Sequence, residues 1–293
     1  MDAWIDGEAV DFGAGYYTLV YIPGEPPGLS RRDKPAGSLA CKAIKMLSEI
    51  PDDEFAAALD GCAAEVLWEA GVTEPPVDAL AVADGLGLVV ARDFAIPYRG
   101  RFVRLAEREG RDGGQGTIVV GESERPEREQ WAVAHEVGES VAYRVFDRLG
   151  VAFDEALPTA RERVANRLAS CLLLPLRWFA VDGRELDWDL VALKDRYCTA
   201  SHELIARRML EMRPPIVITV CDLGRVHWRR SNLTARPPSM LPTETATWRE
   251  VHETGLPAEE TLDMETGISL VRCWPIHEPG WKREIVRSEI AEF

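Results

Sequence analysis

His135 and Glu136 stand side by side in "WAVAHEVGES" (131–140), and Glu139 follows four residues after the histidine. Imidazole nitrogens and carboxylate oxygens are donors for a small divalent cation, and a carboxylate beside such a cation takes a proton from water. On a helix, positions i and i+4 lie roughly 40° apart and one turn along, so His135 and Glu139 present their ends to one point in space. The stretch fills two of the three fixed positions of the metal-ligating pattern H-E-x-x-H, with glutamate where the second histidine would stand. The apolar arc of this helix takes Ala134, Val137, Gly138, Val141, Val145 and Leu149. The His135/Glu139 pair falls on its border and Glu136 is turned further round, which suits the floor of a cleft.

A catalytic site with three protein ligands needs one more donor. Glu162, in "TARERVANRLASCLLLP" (159–175), is the candidate, because positions 165, 169 and 173 share its helix face and are Ala, Ala and Leu. A carboxylate heading an apolar stripe requires a partner if it is buried. Thr159-x-x-Glu162 also has the form of a capping box, in which Glu162 bonds back to the backbone at the helix start. Both readings are open at this point, and His135 alone equally suits an ordinary structural histidine. The other histidines, 202, 227, 252 and 277, are poor replacement ligands on sequence grounds.

These side chains need helices to hold them, and the flanking sequence supplies the pattern. Apolar residues recur at helical spacing through 38–71, with Pro51-Asp52-Asp53 as a break. A short helix then a strand is expected in "PPVDALAVADGLGLVVARDF" (75–94), and "YRGRFVRLAE" and "GTIVVGES" read as strands joined by the polar "REGRDGGQ". After Pro126 the helical pattern resumes to about Leu149. The expected fold is α+β: a zincin-like domain with a small sheet and helices over 38–183, preceded by an appendage and linker over 1–37 that includes a strand at 15–22.

Further along, 184–213 reads as two helices separated by "CTAS", a helix-turn-helix-like segment with Thr199 or Ser201 as N-cap. Between 186 and 213 five acidic residues face five basic ones, so no cationic face is offered to DNA. From 214 to 293 a hairpin turning at Asp222–Arg225, a helix near 243–254 and two more strands form a C-terminal α+β domain. The net charge of −15 over 293 residues disfavours direct nucleic-acid binding. No uncharged apolar run reaches the roughly 18–20 residues of a membrane span, and the acidic start "MDAWIDGEAV" has no signal-peptide form, so a cytoplasmic protein is expected. Six scattered cysteines without C-x-x-C read as small buried apolar side chains.

In order along the chain, "PPVDALAVADGLGLVV", "EREQWAVAHEVGE", "ERVANRLASCLLLP" and "LKDRYCTASHELIARRM" resemble the ImmA/IrrE family of metallopeptidases over about residues 54–213. The resemblance implies zinc held by His135 and Glu162, with Glu136 as general base, and Glu139 in the position of the second histidine ligand. It also implies a protein substrate or partner, such as a helix-turn-helix transcriptional repressor in stress response or mobile-element control. The exchange at 139 leaves a divalent ion fully neutralised by two carboxylates, which weakens it as a Lewis acid and opens the site to manganese. Two readings follow: a peptidase using His135, Glu139, Glu162 and Glu136, or a non-catalytic relative, with or without metal, that binds a regulatory protein.

Overall fold

Pro51, with three acidic residues behind it in Asp52, Asp53 and Glu54, sets the start of the first described helix, α1 (Asp52–Glu69), because carboxylates favour the positive end of the helix dipole. The computed structural model describes residues 3–5, 8–10, 50–93, 100–104, 116–233, 236–262 and 267–291. The strand expected at 15–22, the linker over 23–37, the helix expected from 38 and the polar connector at 108–115 lie outside them. The chain divides into two compact units, Met1–Leu176 and Arg177–Phe293.

In the first unit, β1 (Ala3–Ile5) and β2 (Glu8–Val10) pair antiparallel. Helix α1 buries Phe55, Leu59, Cys62 and Val66 along one stripe. Asp78 caps α2 (Ala79–Gly85) by accepting the Leu80 N–H at 2.9 Å. A three-stranded sheet follows, with β5 (Gly116–Gly121) between the parallel β3 (Val89–Asp93) and the antiparallel β4 (Gly100–Arg104). Helix α3 (Pro126–Arg148) packs against α1, α2, the sheet and α4 (Pro158–Leu173). The mixture of helix and sheet is the expected α+β, zincin-like arrangement.

The second unit opens with three helices, α5 (Leu176–Glu185), α6 (Leu190–Arg196) and α7 (His202–Met209). Of the two expected N-caps for α7, Ser201 is the one used, accepting the Leu204 N–H. An antiparallel five-stranded sheet follows in the order β7-β6-β10-β9-β8: β6 (Ile216–Asp222), β7 (Arg225–Ser231), β8 (Ala258–Thr261), β9 (Ile268–Glu278) and β10 (Trp281–Ile290). Leu223 (φ 47°) and Gly224 (φ 77°) are both left-handed, as the two-residue turn of a twisted hairpin requires.

Each sheet face is covered. Helix α8 (Pro242–Thr254) lays Val251 on Ile268, Val271, Cys273 and Val286. On the other face, Glu203 of α7 accepts the Trp228 indole N–H at 2.9 Å and pairs with Arg207 and Arg283. Asp189, the N-cap of α6, accepts the Trp274 indole N–H at 3.0 Å. Strand β6 is therefore buried on both sides up to Cys221, and β10 over Glu284–Ser288. Four of the five described cysteines, 62, 171, 221 and 273, are buried, and Cys198 is exposed. Among the described residues no single helix is long and apolar enough to cross a membrane.

Candidate metal centre

Helix α3 is fixed at both ends before it presents any chemistry. Near its start, the Gln130 side chain accepts the Ala79 N–H at 2.7 Å and donates to Asp78 at 2.8 Å, tying it to α2. Near its end, Arg144 grips the Glu69 carboxylate with two bonds of 2.8 and 2.9 Å, tying it to α1. Between these anchors, Gly138 meets α4. A Cβ at Gly138 would stand 2.8 Å from the Ala165 carbonyl oxygen, so only glycine lets the two backbones approach this closely.

That approach brings the candidate side chains together. Donor atoms of His135, Glu136 and Glu139 lie within 4.8 Å of one another. From the facing helix, Glu162 Oε2 lies 3.6 Å from His135 Nε2. His135 and Glu136 are buried, Glu139 is half-buried and the Glu162 side chain is 25% exposed, so the group opens to solvent on the Glu139/Glu162 side. Burial pushes the Glu139 carboxyl up, with the Glu162 charge adding to the effect and His135 and Arg161 opposing it.

Two sequence expectations change. Glu162 is not the partner of a capping box: Pro158 occupies the first helical position, the N-cap is Leu157, and no side chain caps it. The Glu162 carboxylate instead accepts the Asn166 amide N–H at 3.0 Å and faces His135. Glu136 is not turned out from the packed face either, since it is as buried as His135; α3 is enclosed by the sheet and three helices rather than packed along one arc.

The motif spacing does not point to Asn166, and it places Gly138 only in the apolar arc. Asn166 sits one turn after Glu162, and an i, i+4 Glu/Asn pair is a legible signal for an oriented carboxylate. A glycine in mid-helix, at a cost of roughly 1 kcal/mol relative to alanine, is the signal for a close approach.

The donor set fits a divalent cation: one imidazole and carboxylates from two helices, converging at a half-open edge. Residues 85–209 match the family model of the IrrE N-terminal-like domain, Peptidase_M78. The radiation response metalloprotease IrrE of Deinococcus deserti is 27% identical over 178 residues, covering 52% of this chain. Residues 85–209 thus carry a domain of ImmA/IrrE type. The chain spans 62% of the Deinococcus protein's length. The chain also shares its fold with a Mycobacterium tuberculosis transcriptional regulator, at a TM-score of 0.56 and 18% identity, over 79% of this chain and 75% of that one. A domain of this metallopeptidase type implies a divalent metal, and the His/Glu group is where the described residues of the first unit offer one a place.

Proposed function

We propose that this metallopeptidase-like chain is a cytoplasmic metal-dependent endopeptidase that cleaves a protein partner, a helix-turn-helix transcriptional repressor being the substrate class implied by the resemblance. His135, Glu139 and Glu162 would hold the metal, zinc or, given the oxygen-rich set, manganese. A cation bound there supplies Lewis acidity toward the scissile carbonyl and an attacking water. Glu136 is the general base: it takes the proton from that water and returns it to the leaving amine. Its burial beside His135 holds the carboxylate in one place while limiting stray water. Asn166 orients Glu162 by occupying one of its oxygens, leaving Oε2 toward His135.

The observation that carries this reading is the meeting of Glu162 with His135, from two helices, beside Glu136 and Glu139. A second reading, a regulatory module that binds its partner without cleaving it, draws on Glu139: with carboxylates in place of a second imidazole, a bound divalent ion is neutralised and its Lewis acidity falls.

Metal analysis of chain purified without chelator, compared with Glu162→Gln and Glu139→Ala, tests the ligand set. About one metal ion per chain fewer than in the unsubstituted chain is expected in both variants; a metal content unchanged in both overturns the assignment. Incubation of the metal-loaded chain with candidate repressors then separates the readings. Cleavage abolished by Glu136→Gln supports the peptidase, and binding without cleavage supports the module.

A further inference from the structure

Outside the peptidase-like domain, three side chains with ligating atoms converge in the second unit. His252 lies in the last turn of α8, His277 near the end of β9, and Glu284 on β10. His252 Nδ1 lies 2.9 Å and His277 Nε2 2.7 Å from the same atom, Glu284 Oε1. The ligating atoms of all three lie within 4.8 Å of one another. We propose that His252, His277 and Glu284 form a second divalent-cation site, of zinc type, that ties α8 to the sheet and keeps a coordination position open to solvent.

The architecture around the carboxylate favours this reading. Glu284 is fully buried, and its other oxygen, Oε2, accepts the Trp248 indole N–H at 2.9 Å. That bond fixes the carboxylate plane and aims Oε1 at the two imidazoles, as outer-shell donors do for ligating carboxylates. The histidine side chains are 32% and 22% exposed, so the centre has a buried anionic base and a half-open imidazole rim. Two neutral imidazoles and one carboxylate are a known three-ligand set for zinc. They leave a divalent ion with one net positive charge, unlike the carboxylate-rich group of the first unit.

Placement does not depend on loose segments. In the β9–β10 register, His277 pairs with Lys282 and Pro275 with Glu284, so His277 and Glu284 are diagonal neighbours on one face. Helix α8 is held on that face by Val251, next to His252. A tetrahedral ion with bonds of about 2.0–2.2 Å separates its ligand atoms by about 3.4 Å. The observed 2.7 and 2.9 Å contacts therefore need to open by about 0.5–0.7 Å, which partly exposed histidines accomplish by side-chain rotation.

The neighbouring groups have other roles. Lys282 places its ammonium on the His252 carbonyl oxygen at 2.8 Å. Cys221 lies opposite Glu284 in the sheet, but burial pushes its thiol up to about 12, and the Cys273 thiol is pushed up in the same way. Neither thiol belongs to the group of ligating atoms within 4.8 Å of one another.

The test uses the full chain carrying His135→Ala and Glu162→Gln, which removes the first group's contribution. Zinc titration against a chromophoric chelator is expected to give one ion per chain with micromolar or tighter affinity. Adding His277→Gln or His252→Gln should weaken that binding about tenfold or more. Zinc should raise the thermal midpoint of the background variant but of neither histidine variant, with all midpoints alike in chelator. X-ray absorption of the bound zinc should show two imidazole nitrogens and oxygen, a readout that needs no substitution at this site. No zinc binding by the background variant, binding indifferent to both histidines, or a shell containing sulfur overturns the proposal.

Discussion

At the scale of single residues, Glu139 is the informative departure from H-E-x-x-H. Its carboxyl is pushed up by burial and by Glu162, so the metal-free group already carries repulsion that a neutral imidazole would relieve. Glu139→His is therefore expected to tighten zinc binding by about tenfold or more and to shift preference from manganese toward zinc. Competition between the two metals for the wild-type and variant chains measures both; equal or weaker zinc binding by the variant contradicts the placement of Glu139 in the coordination group. Residue types and helical spacing make His135, Glu136, Glu139 and Glu162 candidates and leave a cap or a structural histidine equally open; the resemblance carried by four ordered motifs is what implies their roles. Their surroundings were less legible. A single helical wheel assumes one packed face, and so turned Glu136 away from a helix that is in fact enclosed. Thr159-x-x-Glu162 has the form of a cap only if the helix starts after Thr159; Pro158, suited to the first helical position, sets the true start two residues earlier. His252 and His277 read as poor replacement ligands for the first group, and their common partner Glu284 lies 32 residues from His252 and 7 from His277, across the β9–β10 turn.

At the scale of elements, the α3–α4 crossing decides whether the donor atoms meet. Gly138→Ala should gain up to about 1 kcal/mol of helix propensity. It should lose more, about 1–3 kcal/mol, because the new methyl group meets the Ala165 carbonyl and Leu168 and the helices must separate. A lower denaturant midpoint and weaker metal binding at the first group are expected together; a raised midpoint would show that the contact is not tight. Most element types could be read from the sequence: the helix after Pro126, the hairpin at Asp222–Arg225 and the helix near 243–254 follow from proline punctuation, periodicity and turn residues. What covers each sheet face could not be read, because the bonds joining Glu203 to Trp228 and Arg283, and Asp189 to Trp274, span 25, 80 and 85 residues.

At the scale of the whole molecule, acid acts on the two units with opposite signs. Burial alone would push the Glu203 carboxyl up, but the Arg207 and Arg283 guanidiniums, with the Arg207 and Trp228 N–H donors, hold it below the ordinary range. Its contribution to the second unit is fully present above the unfolded value of about 4.3 and is lost as pH falls through the lower folded value. Glu139 in the first unit is raised instead, so the folded chain binds that proton more tightly than the unfolded chain does. Its unfavourable contribution at neutral pH in the chelated protein fades as pH falls toward about 4.3. Hydrogen exchange on the chelator-treated chain, corrected for intrinsic rates between pH 7 and roughly pH 3, separates the two by segment. Amides of α7, β7 and β10 are expected to lose protection before those of α3 and α4. Loss in the reverse order would mean that the Glu203 ion pairs do not hold α7 to the sheet against protonation, and that some other contact fixes the acid stability of the second unit.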